Sequence, residues 1–181
     1  MATGLEDLKV LQAAEKVADK VWAEVSLWNL FARDVVGKQL ARAVDSIGAN
    51  IAEAFGRFHY GDKLNFLYSA RGSVFETKYW LNRGMERKLL SSAQVEGYAA
   101  QLTVVARQLN AFANNLKSQK HEMQVLREPE AVYEVDNEPL FNPSDLDWLM
   151  TVENLTTGES PISNAQSPIS NPQSPQGNVH D

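Results

Sequence analysis

The chain has 181 residues, carries a formal net charge of -6 and contains no cysteine, which excludes a disulfide framework, a thiolate metal site and a cysteine nucleophile. Its length accommodates one domain with extensions, and its 44% hydrophobic content is typical of a globular protein. Because no segment has the pattern of a signal peptide and no run approaches the roughly 20 apolar residues that span a bilayer, we expect a cytoplasmic protein without a membrane partner.

Four segments have apolar residues spaced by three and four positions, which predicts amphipathic helices. The predicted helices are residues 5–32, 34–58, 63–87 and 91–120. Asp34 is the expected N-cap of the second helix, Gly61 and Asp62 form the turn and N-cap before the third, and Ser91 and Gln94 have capping-box spacing at the start of the fourth. Short connections favour antiparallel neighbours, so the sequence predicts an all-α, up-down-up-down four-helix bundle.

The third predicted helix has two apolar stripes. The first contains Leu64, Leu67, Val74 and Leu81, and the second contains Phe66, Ala70, Ser73, Thr77 and Trp80. A helix that is apolar on two sides needs two partners. We therefore predict an oligomer interface with a second copy of the chain at Phe66, Ala70, Ser73 and Trp80. The alternative is that Phe66 and Trp80 only widen one core face.

Polar and charged residues lie beside the small residues of the second and third helices. Asn50 and Glu53 lie on the second helix, and Arg71 and Glu76 lie on the third. We predict that these four side chains form a structural polar network between the two helices, because a charge held near a close helix contact needs a partner. The alternative is that Arg71 contacts a ligand such as a phosphate.

No catalytic or metal-binding pattern is recognisable in the chain. His59, His121 and His180 are far apart, and no carboxylate cluster accompanies them at metal-ligand spacing. Phosphate-binding glycine loops and nucleophile elbows are also missing from the sequence. We therefore expect a protein without enzymatic activity, metal or cofactor.

Seven basic residues form a candidate nucleic-acid surface. Five of them lie near helix ends, namely Arg57, Lys63, Arg83, Arg87 and Lys88, and Arg71 and Lys78 lie within the third predicted helix. If these cations repeat around a ring of subunits, they form a basic rim that neutralises phosphates, and binding falls steeply with salt. The alternative is that exposed Lys and Arg only keep the protein soluble.

The helical pattern ends near residue 120 and an acidic tail follows. Residues 1–123 carry 16 Lys+Arg and 13 Asp+Glu, whereas residues 124–181 carry one Arg and 10 acids. We predict a bundle domain over 1–120 and a Pro/Ser-rich disordered tail over 121–181, with a possible short helical turn at 144–150.

Three roles are open for this tail. It can compete with nucleic acid for the basic face, because a tethered segment has an effective concentration of the order of millimolar. It can dock Leu146–Met150 into the groove of a partner. It can also be solvated chain without a binding role.

Two segments carry a resemblance to a known family. Residues 46–57 have the sequence SIGANIAEAFGR, and residues 66–76 have the sequence FLYSARGSVFE. Set in four long helices, the pair resembles the bacterial four helix bundle protein family, which includes proteins encoded by intervening sequences of 23S rRNA genes. It is also similar to the accessory variability determinant of diversity-generating retroelements.

The resemblance implies a homopentamer with a basic, nucleic-acid-binding surface and, for the retroelement branch, docking onto a reverse transcriptase and its template RNA. We therefore expect a non-enzymatic homo-oligomer that binds nucleic acid, foremost structured RNA, through basic helix ends. The alternatives are an accessory scaffold for a reverse transcriptase and its template RNA, and a structural oligomer without nucleic acid.

Overall fold

The computed structural model describes residues 4–127 and 138–152, with side chains for 4–119 and 138–152. A 3-10 turn at Leu5–Asp7 precedes helix α1, which is Lys9–Ser26. Helix α2 begins as Leu30–Ala32, passes through a π-helical turn at Arg33–Gly37 and continues as Lys38–Gly56. The remaining helices are α3 (Tyr60–Glu86), α4 (Ser92–Arg127) and α5 (Pro143–Met150). The described residues contain helices and no strand, which confirms the predicted all-α class for that part of the chain.

The four long helices surround one apolar core. Helices α1 and α3 each pack against both α2 and α4. Fully buried side chains such as Ile47, Ile51, Leu67, Leu102 and Leu109 fill the centre. Burial of each such side chain is worth about 1.5–3 kcal/mol, so these stripes determine which face of each helix points inward. None of the helices in the described residues is long and apolar enough to cross a lipid bilayer.

The connection between α1 and α2 lies earlier than the sequence predicted. Helix α1 ends at Ser26, and Asn29 caps α2 by accepting a hydrogen bond from the Ala32 N–H at 2.9 Å. Asp34 is therefore not the N-cap; it lies inside the π-helical turn and forms an exposed salt bridge with Lys38 at 2.9 Å. The prediction was wrong here because apolar periodicity continues across the turn and hides the break.

The ends of α3 and α4 differ from the predicted ones by a few residues. Helix α3 already begins at Tyr60, so Gly61 and Asp62 lie within its first turn instead of before it. The capping box that opens α4 is confirmed: the Gln94 N–H donates to the Ser91 hydroxyl at 3.2 Å, and the Ser91 N–H donates to the Gln94 side chain at 2.9 Å. Helix α4 continues past residue 120 as far as Arg127.

Part of the predicted disordered tail packs on the bundle. The helical turn expected at 144–150 is a helix of eight residues, Pro143–Met150, which is capped by Asn142. The Asn142 and Asp145 side chains each accept the other residue's backbone N–H, at 2.9 and 3.0 Å. The disorder predicted for 128–137 and 153–181 lies outside the described residues.

Candidate nucleic-acid interface

One end of the helix assembly carries four cations in or next to two connections between helices. A Cβ atom on Gly84, near the end of α3, would lie 3.7 Å from the Trp28 ring, so the α1–α2 and α3–α4 connections are neighbours. The cations at this end, which we call the basic end, are Arg33, Arg83, Arg87 and Lys88. Within the described residues, none of these four cations forms a salt bridge. They are therefore available to an external anion.

Lys88 holds a backbone conformation that favours glycine. Its φ is 58°, the only positive φ at a non-glycine residue in the described chain. It ends α3 as the Lys88 N–H donates to the Met85 carbonyl at 2.8 Å. A lysine in this conformation costs about 1 kcal/mol relative to glycine, and its side chain is exposed at the turn.

The basic end also exposes apolar side chains. Phe31 is 77% exposed and Leu30 is 65% exposed, both in the first turn of α2. Arg33 lies in the following turn of the same helix. An exposed aromatic ring beside guanidinium groups is the combination on which unpaired bases stack while phosphates are neutralised. Arg33 was absent from the predicted set because sequence alone did not place it beside the end of α3.

Arg57 and Lys63 lie at the opposite end of α3. At 1.5 Å per residue, Lys63 and Arg87 are about 36 Å apart along the helix. Arg57 is engaged within the chain: it pairs with Glu53 one turn earlier, and its guanidinium carbon lies 4.7 Å from the Phe66 ring centre. The seven predicted cations therefore do not form one surface.

Arg71 and Lys78 are covered by the chain itself. Arg71 pairs with Asp145 of α5 at 3.0 Å, and its guanidinium lies over the rings of Phe75 and Phe141. Lys78 is fully buried, and its ammonium group donates to the Thr151 carbonyl at 2.8 Å. Burial lowers the pKa of Lys78 because the charged form loses its hydration. Lys78 therefore cannot meet a phosphate while residues 138–152 are in place, whereas the Arg71 side chain stays 34% exposed but is already paired with a carboxylate.

The predicted polar network is split into separate contacts. Asn50 donates to the Ser46 carbonyl at 2.8 Å and to the Ser73 hydroxyl at 3.4 Å. Glu53 pairs with Arg57 on its own helix, whereas Arg71 pairs with Asp145, and Glu76 is exposed. Among the described polar contacts of these four residues, the Asn50–Ser73 hydrogen bond is the one that joins α2 to α3. The spacing of the polar residues did not predict the ion pair between Arg71 and Asp145.

The four residues of the predicted oligomer interface differ in burial. Ala70 is fully buried and Ser73 is 8% exposed within the single chain, so neither presents surface to a neighbour. They contribute to packing within the chain. Phe66 and Trp80, to which the alternative prediction applied, pack against the core and keep part of their side chains on the surface.

An apolar surface also lies between α1 and α2. It is an open groove of about 710 Å³ that includes Trp22, Val25, Gly37 and Ala41. Trp22 is 68% exposed at its edge. Exposed apolar surface of this kind marks contact sites for other macromolecules.

Metal-ligating side chains do not converge in the described part of the chain. No three His, Asp or Glu residues there are close enough to hold an ion.

Comparison with known proteins places these helices in a family. The model of the 23S rRNA-intervening sequence protein family matches residues 6–111, which is more than half of the chain. The chain belongs to this family. The family match includes α1, α2, α3 and the first part of α4, and it excludes residues 138–152. No curated protein matches the chain.

Proposed function

We propose that this family member is a non-enzymatic, homo-oligomeric protein that binds structured RNA through its basic end. Its unit is an antiparallel up-down-up-down bundle, as the opposed pairs Glu24–Gln94 and Lys20–Gln101 between α1 and α4 support. The observation that carries the proposal is the cluster of Arg33, Arg83, Arg87 and Lys88 without salt-bridge partners in the described chain, beside an exposed Phe31.

The strained conformation of Lys88 supports the same site. Glycine would adopt the Lys88 φ of 58° without cost, so lysine at this position lowers the stability of the turn and places a cation at its tip. Residues held in sparsely populated conformations concentrate at functional sites. The family match to a protein of a 23S rRNA intervening sequence is compatible with RNA as the ligand.

A salt titration with a labelled RNA hairpin tests the proposal. Replacement of Arg83, Arg87 and Lys88 by Ala is expected to weaken binding at least about tenfold and to lower the slope of log K against log salt by about 2–3, because each phosphate contact contributes about 0.7–0.9. The matched control replaces Lys16, Lys20 and Arg107, three exposed cations on α1 and α4, by Ala. No binding by the native chain at low salt, or an equal loss in both variants, contradicts the proposal.

A homo-oligomer fits the two separate apolar surfaces. A ring of more than two subunits uses two different patches on each subunit. Trp22 beside the α1–α2 groove and Trp80 on α3 supply two such patches on helices that both pack between α2 and α4. We propose that these patches meet across a heterologous interface, and that the ring is the pentamer that the resemblance implies.

The second candidate function is a scaffold for a reverse transcriptase and its template RNA. The exposed Leu30 and Phe31 beside the basic end favour a partner that offers protein and RNA surfaces together. A reverse transcriptase gene with paired template and variable repeats beside this gene would support it. Binding of RNA without any such neighbour supports the first candidate.

A further inference from the structure

We propose that the groove between α3 and α4 is a docking site for a linear acidic peptide, and that residues 138–152 are a tethered, exchangeable occupant of it. We call this groove the strap groove and residues 138–152 the strap. A protein partner that carries the same pattern of anchors would bind by displacing the strap. This inference does not depend on RNA binding.

The strap groove contacts the main chain of its occupant. The Asn110 side chain accepts the Phe141 N–H at 2.7 Å and donates to the Phe141 carbonyl at 2.8 Å. Lys117 donates to the Glu138 carbonyl at 2.7 Å, and Lys78 donates to the Thr151 carbonyl at 2.8 Å. These backbone contacts lie on both sides of helix α5, at Glu138 and Phe141 before it and at Thr151 after it. Contacts with backbone groups are typical of peptide recognition, because they do not depend on the side chains at those positions.

Three side chains of the strap add specificity. Phe141 is buried and stacks on Phe75 with ring centres 5.6 Å apart, Asp145 pairs with Arg71, and Leu149 is fully buried. Each follows the previous one by four residues, which defines the pattern Phe-x-x-x-Asp-x-x-x-Leu. Between and beyond these anchors, Asp147 and Met150 are exposed and can vary.

Charge complementarity identifies the chemistry of the occupant. The strap contains three acids and no Lys or Arg. The groove offers three cations, namely Arg71, Lys78 and Lys117. Arg71 pairs with the Asp145 carboxylate, while Lys78 and Lys117 donate to backbone carbonyls of the strap. An acidic peptide therefore suits this groove better than a neutral or basic one.

The strap is held less tightly than its contacts suggest. Docking buries the Lys78 ammonium against a neutral carbonyl, and the desolvation of an unpaired charge opposes binding. The buried Arg71 Nε has no hydrogen-bond partner among the described residues. A tether raises the local concentration of the strap to about the millimolar range, so a weak ligand fills the groove.

The range of the family match supports an exchangeable strap. Arg71, Phe75, Lys78 and Asn110 lie within residues 6–111, whereas the strap lies outside this range. The groove is thus built mainly from the family's helices, and its occupant is an addition to them.

Fluorescence anisotropy with a labelled peptide of residues 138–152 tests the proposal on the full-length chain. The variant Phe141→Ala/Leu149→Ala removes the two most deeply buried side chains of the tethered strap and leaves the buried Leu140. We expect this chain to bind the peptide at least about tenfold more tightly than the native chain, in which the tethered copy competes. A peptide with Phe141→Ala and Leu149→Ala should not bind.

The matched control is Asp147→Ala/Met150→Ala, which changes two exposed residues of the same helix and should bind the peptide no better than the native chain. A second variant that should release the strap is Asp145→Arg, which replaces the partner of Arg71 by a like charge. Its control is Asp147→Arg, at an exposed position of the same helix. Circular dichroism verifies the helix content of each chain. Equal peptide binding by emptied and control chains, or no binding by folded emptied chains, overturns the proposal, as does binding of an RNA hairpin and not of the peptide.

Discussion

At the scale of single residues, a basic residue type does not establish a binding role. Lys78 and Arg87 lie close together along the chain at the end of α3, yet Lys78 is fully buried under the strap and Arg87 is exposed at the basic end. Sequence reasoning grouped them because both are cations in this part of the chain. What separates them is the strap, which caps Lys78 with a carbonyl.

Lys78 should make stability depend on pH. Burial lowers its pKa below the ordinary 10.5, so between the lowered value and 10.5 the unfolded chain binds more protons than the folded chain at this site. The free energy of unfolding therefore contains a contribution that rises with pH across that window. We expect Lys78→Met to remove this contribution, so that the stability difference between variant and native chain changes steadily as the pH rises toward 10.5.

Urea unfolding at a series of pH values measures this effect. Lys16→Met, at an exposed lysine of α1, is the control and should preserve the native pH dependence. Parallel curves for the native chain and Lys78→Met would mean that the ammonium group is not desolvated in the folded chain.

At the scale of elements, the entry into α2 depends on a close helix approach. A Cβ atom on Gly37 would lie 2.6 Å from Cγ1 of Val25 in α1. The π-helical turn Arg33–Gly37 ends at this contact. A π turn adds a residue to the helical repeat, so the glycine faces α1 where a side chain would not fit.

Gly37→Ala should therefore destabilise the chain by about 1–3 kcal/mol, because the methyl group forces Val25 or the helix to shift. Gly72→Ala is the matched control: no atom lies within 4 Å of the place that its methyl group would take, and alanine should stabilise α3 by about 0.5–1 kcal/mol. Thermal and urea unfolding measure the change in the free energy of unfolding, which should fall for Gly37→Ala and rise for Gly72→Ala. A neutral Gly37→Ala would show that α1 and α2 are not in close contact there.

At the scale of the whole molecule, two apolar patches left uncovered on one chain support the proposed assembly. Trp22 is 68% exposed on α1, and Trp80 is half-buried on α3. In the ring that we propose, each interface would bury both patches.

Native mass spectrometry should detect an oligomer for the native chain, with Trp22→Glu and Trp80→Glu each shifting it to smaller species. Each substitution introduces a charge into one side of the same heterologous interface, so either alone breaks the ring. Tyr68→Glu, at an exposed position of α3, is the control. A native chain that remains monomeric at high concentration contradicts the oligomer proposal.

The sequence by itself determined the helical class, the four long helices, the capping box at Ser91 and the family, because apolar periodicity and cap spacing are local patterns. The tertiary structure alone decided which polar groups meet: Asp145 reaches Arg71 across 74 positions of the chain, and Asn110 pairs with Phe141 across 31. Such contacts depend on how separate segments pack, and local spacing contains no information about them. The strap, the burial of Lys78 and the composition of the basic end therefore became visible only in three dimensions.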